Sequence, residues 1–351
     1  MNELIQRRID LGDIHLHIHT MGSGPVVVLC HGFPGHWTNW RAQMSALAEA
    51  GYCAVAPDMR GYGQSSRPDE IADYDMNAQL ADMCGLLDAL GTEKAVFIGQ
   101  DFGASLVWSM AQRQPERVAA VVGMSVPFDH DYYGRSCMGD LSEAELDALS
   151  ADNLLVASPL NPPSVGFKAI AAHQFLHAQY FLQPGPADRE LGCNAETFLQ
   201  RIYWGLSGEG SLGDWSAFPA EGTGYLDVLP EPPPLPWPWM SREMLAGIAE
   251  DYLRAGKEQA FSGALASYRV ADRNWEIGAA YADWNITVPA LFIAGEKDPV
   301  VASLDAAMRQ RLHRRITDLR EICLVPGAGH FVQLEAPDES NRAVLRFLSS
   351  L

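Results

Sequence analysis

The 351-residue chain is short of positive charge: 25 Lys and Arg stand against 44 Asp and Glu, a formal net charge of −19. Such a surface repels phosphates instead of neutralising them, which argues against nucleic acid and anionic membranes as partners. No apolar run approaches the roughly 20 residues that a membrane helix needs. Residues 1–13 mix charges among isolated apolar positions and contain no apolar run of signal-peptide length. None of the six cysteines (Cys30, Cys53, Cys84, Cys137, Cys193, Cys323) forms a C-x-x-C pair. Several lie in apolar strand-like runs, so they read as buried free thiols of a cytoplasmic protein. With 48% hydrophobic and 20% charged residues, the composition is that of a globular enzyme and not of a disordered chain.

What is present is a rhythm. PVVVLC (25–30), CAVAPD (53–58), AVFIG (95–99) and AAVVGMSV (119–126) read as buried strands. Between them, residues 40–50, 77–90 and 103–113 carry helical spacing. Strands alternating with helices imply parallel pairing through crossover helices, hence an α/β sheet. The rhythm stops after Pro127 and resumes with PALFIAG (289–295), a helix near 303–314, REICLVPG (320–327) and a helix from about 337. The expected organisation is an α/β core of residues 1–130 and 286–351, interrupted by a mainly helical insertion, 131–285. Within the insertion, LPEPPPLPWPWM (229–240) reads as a stiff loop anchored by its tryptophans. His15, His17 and His19 alternate with Ile14, Leu16 and Ile18. They read as one exposed strand face, and neither metal nor cofactor is expected.

Four segments each follow an apolar strand. They are His31-Gly32-Phe33-Pro34, Gly99-Gln100-Asp101-Phe102-Gly103, Glu296-Lys297-Asp298 and Gly327-Ala328-Gly329-His330. The carboxyl ends of parallel strands share one edge of a sheet, and ligands bind there. Segments some 230 residues apart therefore converge on one pocket. GQDFG has the form of a nucleophile elbow, G-x-nucleophile-x-G, with Asp where serine hydrolases have Ser. The order Asp101, Asp298, His330 is nucleophile, acid, base. Asp129, after the strand 119–126, is a second candidate for the acid.

HGFP, APDMRGYGQSSRP (56–68), FIGQDFG, ERVAAVVGMSVPF (116–128), AGEKDPVV and GAGHFVQLEAP together resemble the α/β-hydrolase superfamily. YFLQPG (180–185) and SYRVADRNWE (267–276) are similar to segments of soluble epoxide hydrolases. The resemblance spans essentially the whole chain, with haloalkane and haloacetate dehalogenases as cousins. It implies an α/β-hydrolase fold, a mostly parallel sheet flanked by helices, with the insertion as a helical cap. It implies hydrolysis of a small apolar epoxide by water to a vicinal diol, without a cofactor. Asp101 would form an alkyl ester, which water activated by His330 and Asp298 hydrolyses. The backbone N–H groups of Phe33 and Phe102 would form the oxyanion hole. Pro34, Trp37 and Phe128 would belong to the substrate pocket, and the Phe33–Pro34 bond is expected to be cis. Ring opening needs an acid, and Tyr268 matches the second of two cap tyrosines. The first falls on His177, with Tyr180 one helical turn away as the alternative. Phe102 has no N–H to hold a halide, and Phe102 and Ser105 replace the arginines of haloacetate dehalogenases. The dehalogenase reading is therefore the second choice. Oligomeric state stays open, a homodimer included.

Overall fold

The computed structural model describes residues 3–128 and 161–351. Eight strands form one sheet: β1 (Leu4–Asp10), β2 (His15–Gly22), β3 (Val26–Cys30), β4 (Cys53–Pro57), β5 (Ala95–Gln100), β6 (Val118–Met124), β7 (Ala290–Gly295) and β8 (Leu319–Val325). Their order is β1-β2-β4-β3-β5-β6-β7-β8. From β4 to β8 the neighbours are parallel, whereas β2 pairs antiparallel with both β1 and β4. Strand β1 is an addition to the sequence reading. Its LIQRRID has no apolar run, and four consecutive residues are exposed, as suits an edge whose charges discourage further pairing.

The central strands are apolar throughout because both faces are covered. Val28, Phe97 and Phe292 face one side, where Met83, Leu86 and Leu106 cover them. Val27, Ile98 and Leu291 face the other, under Met44, Leu47 and Phe347. The covering helices are Met76–Ala89 and Phe102–Arg113 on the first side, and Arg41–Glu49 and Pro337–Leu348 on the second.

Between β6 and β7 the described residues 161–285 form helices and turns, with one isolated bridge, Trp237 to Met240. The proline-rich segment is anchored as its tryptophans suggested. Trp237 is buried against Trp204 and Trp239, each with ring centroids 5.0 Å away, and its indole N–H donates to the Pro233 carbonyl at 3.1 Å. Residues 129–160, which include the start of the insertion and Cys137, lie outside the described residues. Among the described residues, no helix is long and apolar enough to cross a membrane.

Two expectations need correction. The described cysteines are free, but only Cys30 is buried; Cys193, on a polar helical face, is exposed. The β2 histidines do not form an exposed face. His19 is 2% exposed, because the Trp37 ring stacks on it with centroids 3.8 Å apart.

Close packing around the helix Phe102–Arg113 fixes its distance from β6. A side chain at Gly123 would overlap the Trp108 indole, whose N–H donates to the Val126 carbonyl at 3.0 Å. Gly123→Ala is therefore expected to destabilise the protein by about 1–3 kcal/mol through overpacking. A lowered urea midpoint at unchanged slope checks this, and an unchanged midpoint contradicts the packing argument.

Candidate active site

Asp101 occupies the turn between β5 and the helix Phe102–Arg113, with φ 57° and ψ −125°. A non-glycine residue at positive φ is costly and marks a functional constraint. The flanking glycines supply space. A side chain on Gly99 would overlap the Gly103 carbonyl, and one on Gly103 would overlap the Cys30 carbonyl. Strand, turn and helix thus pack backbone to backbone, and the strain falls on Asp101 alone.

The Phe33 N–H donates to Asp101 Oδ1 at 2.7 Å. Phe33 is followed by a cis bond to the buried Pro34, as expected. Gly32 makes the approach feasible. A Cβ there would overlap Asp101 Oδ1 and lie 2.6 Å from the Phe102 nitrogen. Behind this turn, the buried His31 accepts from Met59 N–H at 3.2 Å through Nε2, and its Nδ1 lies 3.1 Å from the Gly32 carbonyl. Burial lowers its pKa to about 4, so it is a neutral strut.

His330 faces the other oxygen. Its Nε2 is 3.4 Å from Asp101 Oδ2, and its Nδ1 is 3.0 Å from Asp298 Oδ2. Asp298 is fixed in turn, since Oδ1 accepts the Val300 N–H at 2.9 Å. The expected trio is therefore brought together from the ends of β5 and β7 and from the loop after β8. The alternative acid, Asp129, lies outside the described residues. Burial pushes the His330 pKa down, but the charges of Asp298 and Asp101 and its hydrogen bonds to them outweigh burial and raise it to about 10. In this state His330 is an imidazolium between two carboxylates.

The His330 loop is held by residues that the sequence reading did not single out. Glu335 accepts three backbone N–H groups, from Gly208 at 2.7 Å, Gly329 at 2.9 Å and Phe331 at 3.0 Å. Ser125, itself at φ 69°, and Gln100 both donate to the His330 carbonyl. The His330 N–H donates to Leu206 of the insertion at 2.9 Å. A glutamate five residues after the histidine, close behind a glycine-rich loop, was the available signal. Nothing in the sequence said that its acceptors would be used on backbone.

Two helices of the insertion, His177–Leu182 and Ser262–Arg269, bring His177 and Tyr268 to the same place. Their ring centroids are 5.8 Å apart. Tyr268 stands edge-on to Phe33 at 5.8 Å and to Phe102 at 4.9 Å, the two residues flanking the carboxylate. A buried ion pair aligns the helices: Arg269 bonds Asp188 at 2.7 Å and the Phe181 carbonyl at 3.1 Å. His177 packs among Phe181, Trp215 and Tyr225, and its Nδ1 is buried with no hydrogen-bond partner. Burial lowers its pKa to about 4, partly opposed by the charge of Asp101. Tyr180 is placed differently. Its hydroxyl donates to Glu190 at 2.9 Å, and burial together with the Glu190 charge raises its pKa. Phe128 packs against Trp108. Trp37 does not join this group. It lies in the second core cluster, stacked on His19.

Comparison with known proteins agrees with this fold. The profile of the alpha/beta hydrolase fold family matches residues 25–337. Epoxide hydrolase A of Mycobacterium tuberculosis is 38% identical over 99% of this chain and 98% of its own. Bifunctional epoxide hydrolase 2 of Sus scrofa is 34% identical over 96% of this chain, which spans only 54% of that longer protein. The crystal structure of Epoxide Hydrolase A from Mycobacterium thermoresistibile superposes with a TM-score of 0.82 at 36% identity, covering 99% of this chain and 98% of that one. The chain belongs to the α/β-hydrolase fold family and, within it, to the epoxide hydrolases.

Proposed function

We propose that the protein converts an apolar epoxide and water to a vicinal diol, through an ester on Asp101. The observation that carries this reading is the division of the Asp101 carboxylate. Oδ1 is held by the Phe33 N–H, while Oδ2 faces His330. A carboxylate so placed can displace at a saturated carbon and then present its own carbonyl to water.

Oδ2 attacks a ring carbon, and the ring C–O bond breaks. The alkoxide takes its proton from the phenol O–H of Tyr268. His177 orients the ring oxygen beside it, whereas Tyr180 is committed to Glu190. Esterification cancels the charge of Asp101. His330 then faces one carboxylate instead of two, its pKa falls, and its released proton leaves Nε2 free to act as a base. It deprotonates a water that attacks the ester carbon. The oxyanion on Oδ1 is stabilised by the N–H groups of Phe33 and Phe102. Collapse expels the diol oxygen, which takes the proton from His330. The new carboxyl group returns a proton to Tyr268 and, when His330 recharges, Asp101 regains its imidazolium partner. The helical insertion, residues 131–285 on this reading, caps the site and excludes bulk water.

A product assay on aromatic and aliphatic epoxides, with haloalkanes in parallel, tests the class. Diol is expected, none is expected from Asp101→Ala, and His330→Gln should accumulate a protein–substrate adduct visible by mass spectrometry. Halide release without diol would overturn the reading in favour of a dehalogenase. The acid assignment is separable. Tyr268→Phe should slow ester formation by roughly 10²-fold or more with less effect on ester hydrolysis, while Tyr180→Phe should leave single-turnover ester formation nearly unchanged. Equal losses in the two variants would reverse the assignment. The electrostatic step is also measurable. Asp101→Asn, which is neutral like the ester, should lower the His330 pKa from about 10, read from the pH dependence of its imidazole NMR shifts. An unchanged value would remove Asp101 from the control of the base.

A further inference from the structure

The histidines of β2 form a second cluster, which the proposed reaction does not use. His17 and His19 are two residues apart on one strand and project to the same face. Asp58 follows β4, in which Ala56 is the partner of His19, so its carboxylate reaches the same spot. One donor atom from each of the three residues lies within 4.8 Å of the others. His17 Nδ1 is 3.2 Å from Asp58 Oδ2, which also accepts the Gln64 N–H at 2.9 Å. The other Asp58 oxygen, Oδ1, and His19 Nδ1 are both buried without a hydrogen-bond partner. Asp58 is 1% and His19 2% exposed.

A buried polar atom without a partner forfeits its hydration for nothing in return. Two such atoms in one cluster are poorly explained by structure alone. They are well explained by a ligand that accepts two lone pairs. Burial lowers the His19 pKa to about 4, so its ring is neutral. The Ala56 carbonyl is an acceptor beside that ring. A neutral imidazole keeps a lone pair on one ring nitrogen while the other carries the proton, the arrangement usual for metal-bound imidazoles. Burial raises the Asp58 pKa, but His17 and the other groups around the carboxylate hold it below the ordinary value, so it carries its charge.

We propose that His17, His19 and Asp58 form a binding site for one divalent transition-metal ion, zinc above all, with water as the fourth ligand. Two imidazoles and one carboxylate suit Zn²⁺, Co²⁺, Ni²⁺ or Cu²⁺ better than the oxygen-seeking Mg²⁺ or Ca²⁺. Tetrahedral bonds of about 2.0–2.2 Å place ligand atoms roughly 3.3–3.6 Å apart, and His17 Nδ1 and Asp58 Oδ2 already stand at 3.2 Å. The His17 side chain, 12% exposed, is the way in. The site touches the oxyanion turn through one neighbour. Met59, adjacent to Asp58, donates its N–H to His31, two residues before Phe33.

Titration of the full chain with Co²⁺ and with Zn²⁺ tests the site. One equivalent of Co²⁺ should give the visible band of tetrahedral coordination, and Zn²⁺ should displace it and raise the melting temperature. His17→Gln and His19→Gln should each weaken binding by more than about tenfold, the lower bound for losing even an outer-shell partner. His15→Gln and Cys193→Ser, outside the cluster, should bind as the parent does. His17 lies at the rim, so its variant should fold even if the buried His19→Gln does not. Absence of the band in the parent, or binding undiminished in His17→Gln, would overturn the proposal. None of these readouts depends on epoxide turnover.

Discussion

Asp101 is held at φ 57°, a conformation that costs a non-glycine residue about 1–3 kcal/mol, and the centre of the sheet is built to keep it there. Strand β5 runs between β3 and β6 and is buried along its whole length. The helix after the turn is buried from Gly103 to Arg113. Gly99 and Gly103 let the turn, the helix and the end of β3 meet without side chains between them. The turn cannot relax without opening that packing. The position of the carboxylate between the Phe33 N–H and His330 is therefore a property of the core and not of a loop.

The second constraint is electrostatic. A buried histidine would ordinarily be neutral. His330 is charged because two carboxylates face its two nitrogens, and it is kept between them by its backbone. Its carbonyl and N–H are bound by Ser125, Gln100 and Leu206, and the amides around it by Glu335. Glu335 also binds Gly208, and Lys297 donates to the Gly208 carbonyl at 2.9 Å. The inserted helices are thus bonded to the His330 loop, and they also carry His177 and Tyr268, the latter edge-on to Phe33 and Phe102.

Much of this was legible in the sequence, and the reasons differ by residue. The buried strands were visible because both of their faces are covered, which leaves apolar runs. Asp101, Asp298 and His330 were visible because each follows such a run, and parallel strands bring their ends together. Strand β1 was hidden because an edge strand with a charged face has no such signature. His19 was read as exposed because alternation predicts faces, not what later folds onto them; Trp37 arrives from the loop after β3 and covers it. That contact also takes Trp37 away from the pocket in which the sequence placed it. Tyr180 and His177 are separated by one helical turn, and spacing cannot say which hydroxyl or ring finds a partner elsewhere. Glu190 decides it.

The charge state of His177 bears on which leaving group the proposed site can serve. A halide leaves as an anion and needs a cation or directed N–H donors. With its pKa near 4, His177 is neutral at physiological pH and supplies no positive charge. Its neutral ring brings a single N–H; Phe181, Tyr225 and Tyr268 have no ring N–H, Trp215 spends its indole N–H on the Leu212 carbonyl at 2.8 Å, and Phe102 lacks the donor that an indole would provide. A protein of net charge −19 offers no long-range attraction in compensation. An epoxide oxygen makes the opposite demand. It remains attached to the carbon chain and needs only a proton and a hydrogen bond as its ring opens. A phenol beside a neutral imidazole with an unused nitrogen supplies both, while a charged imidazole in the same apolar setting would have to overcome its own desolvation first.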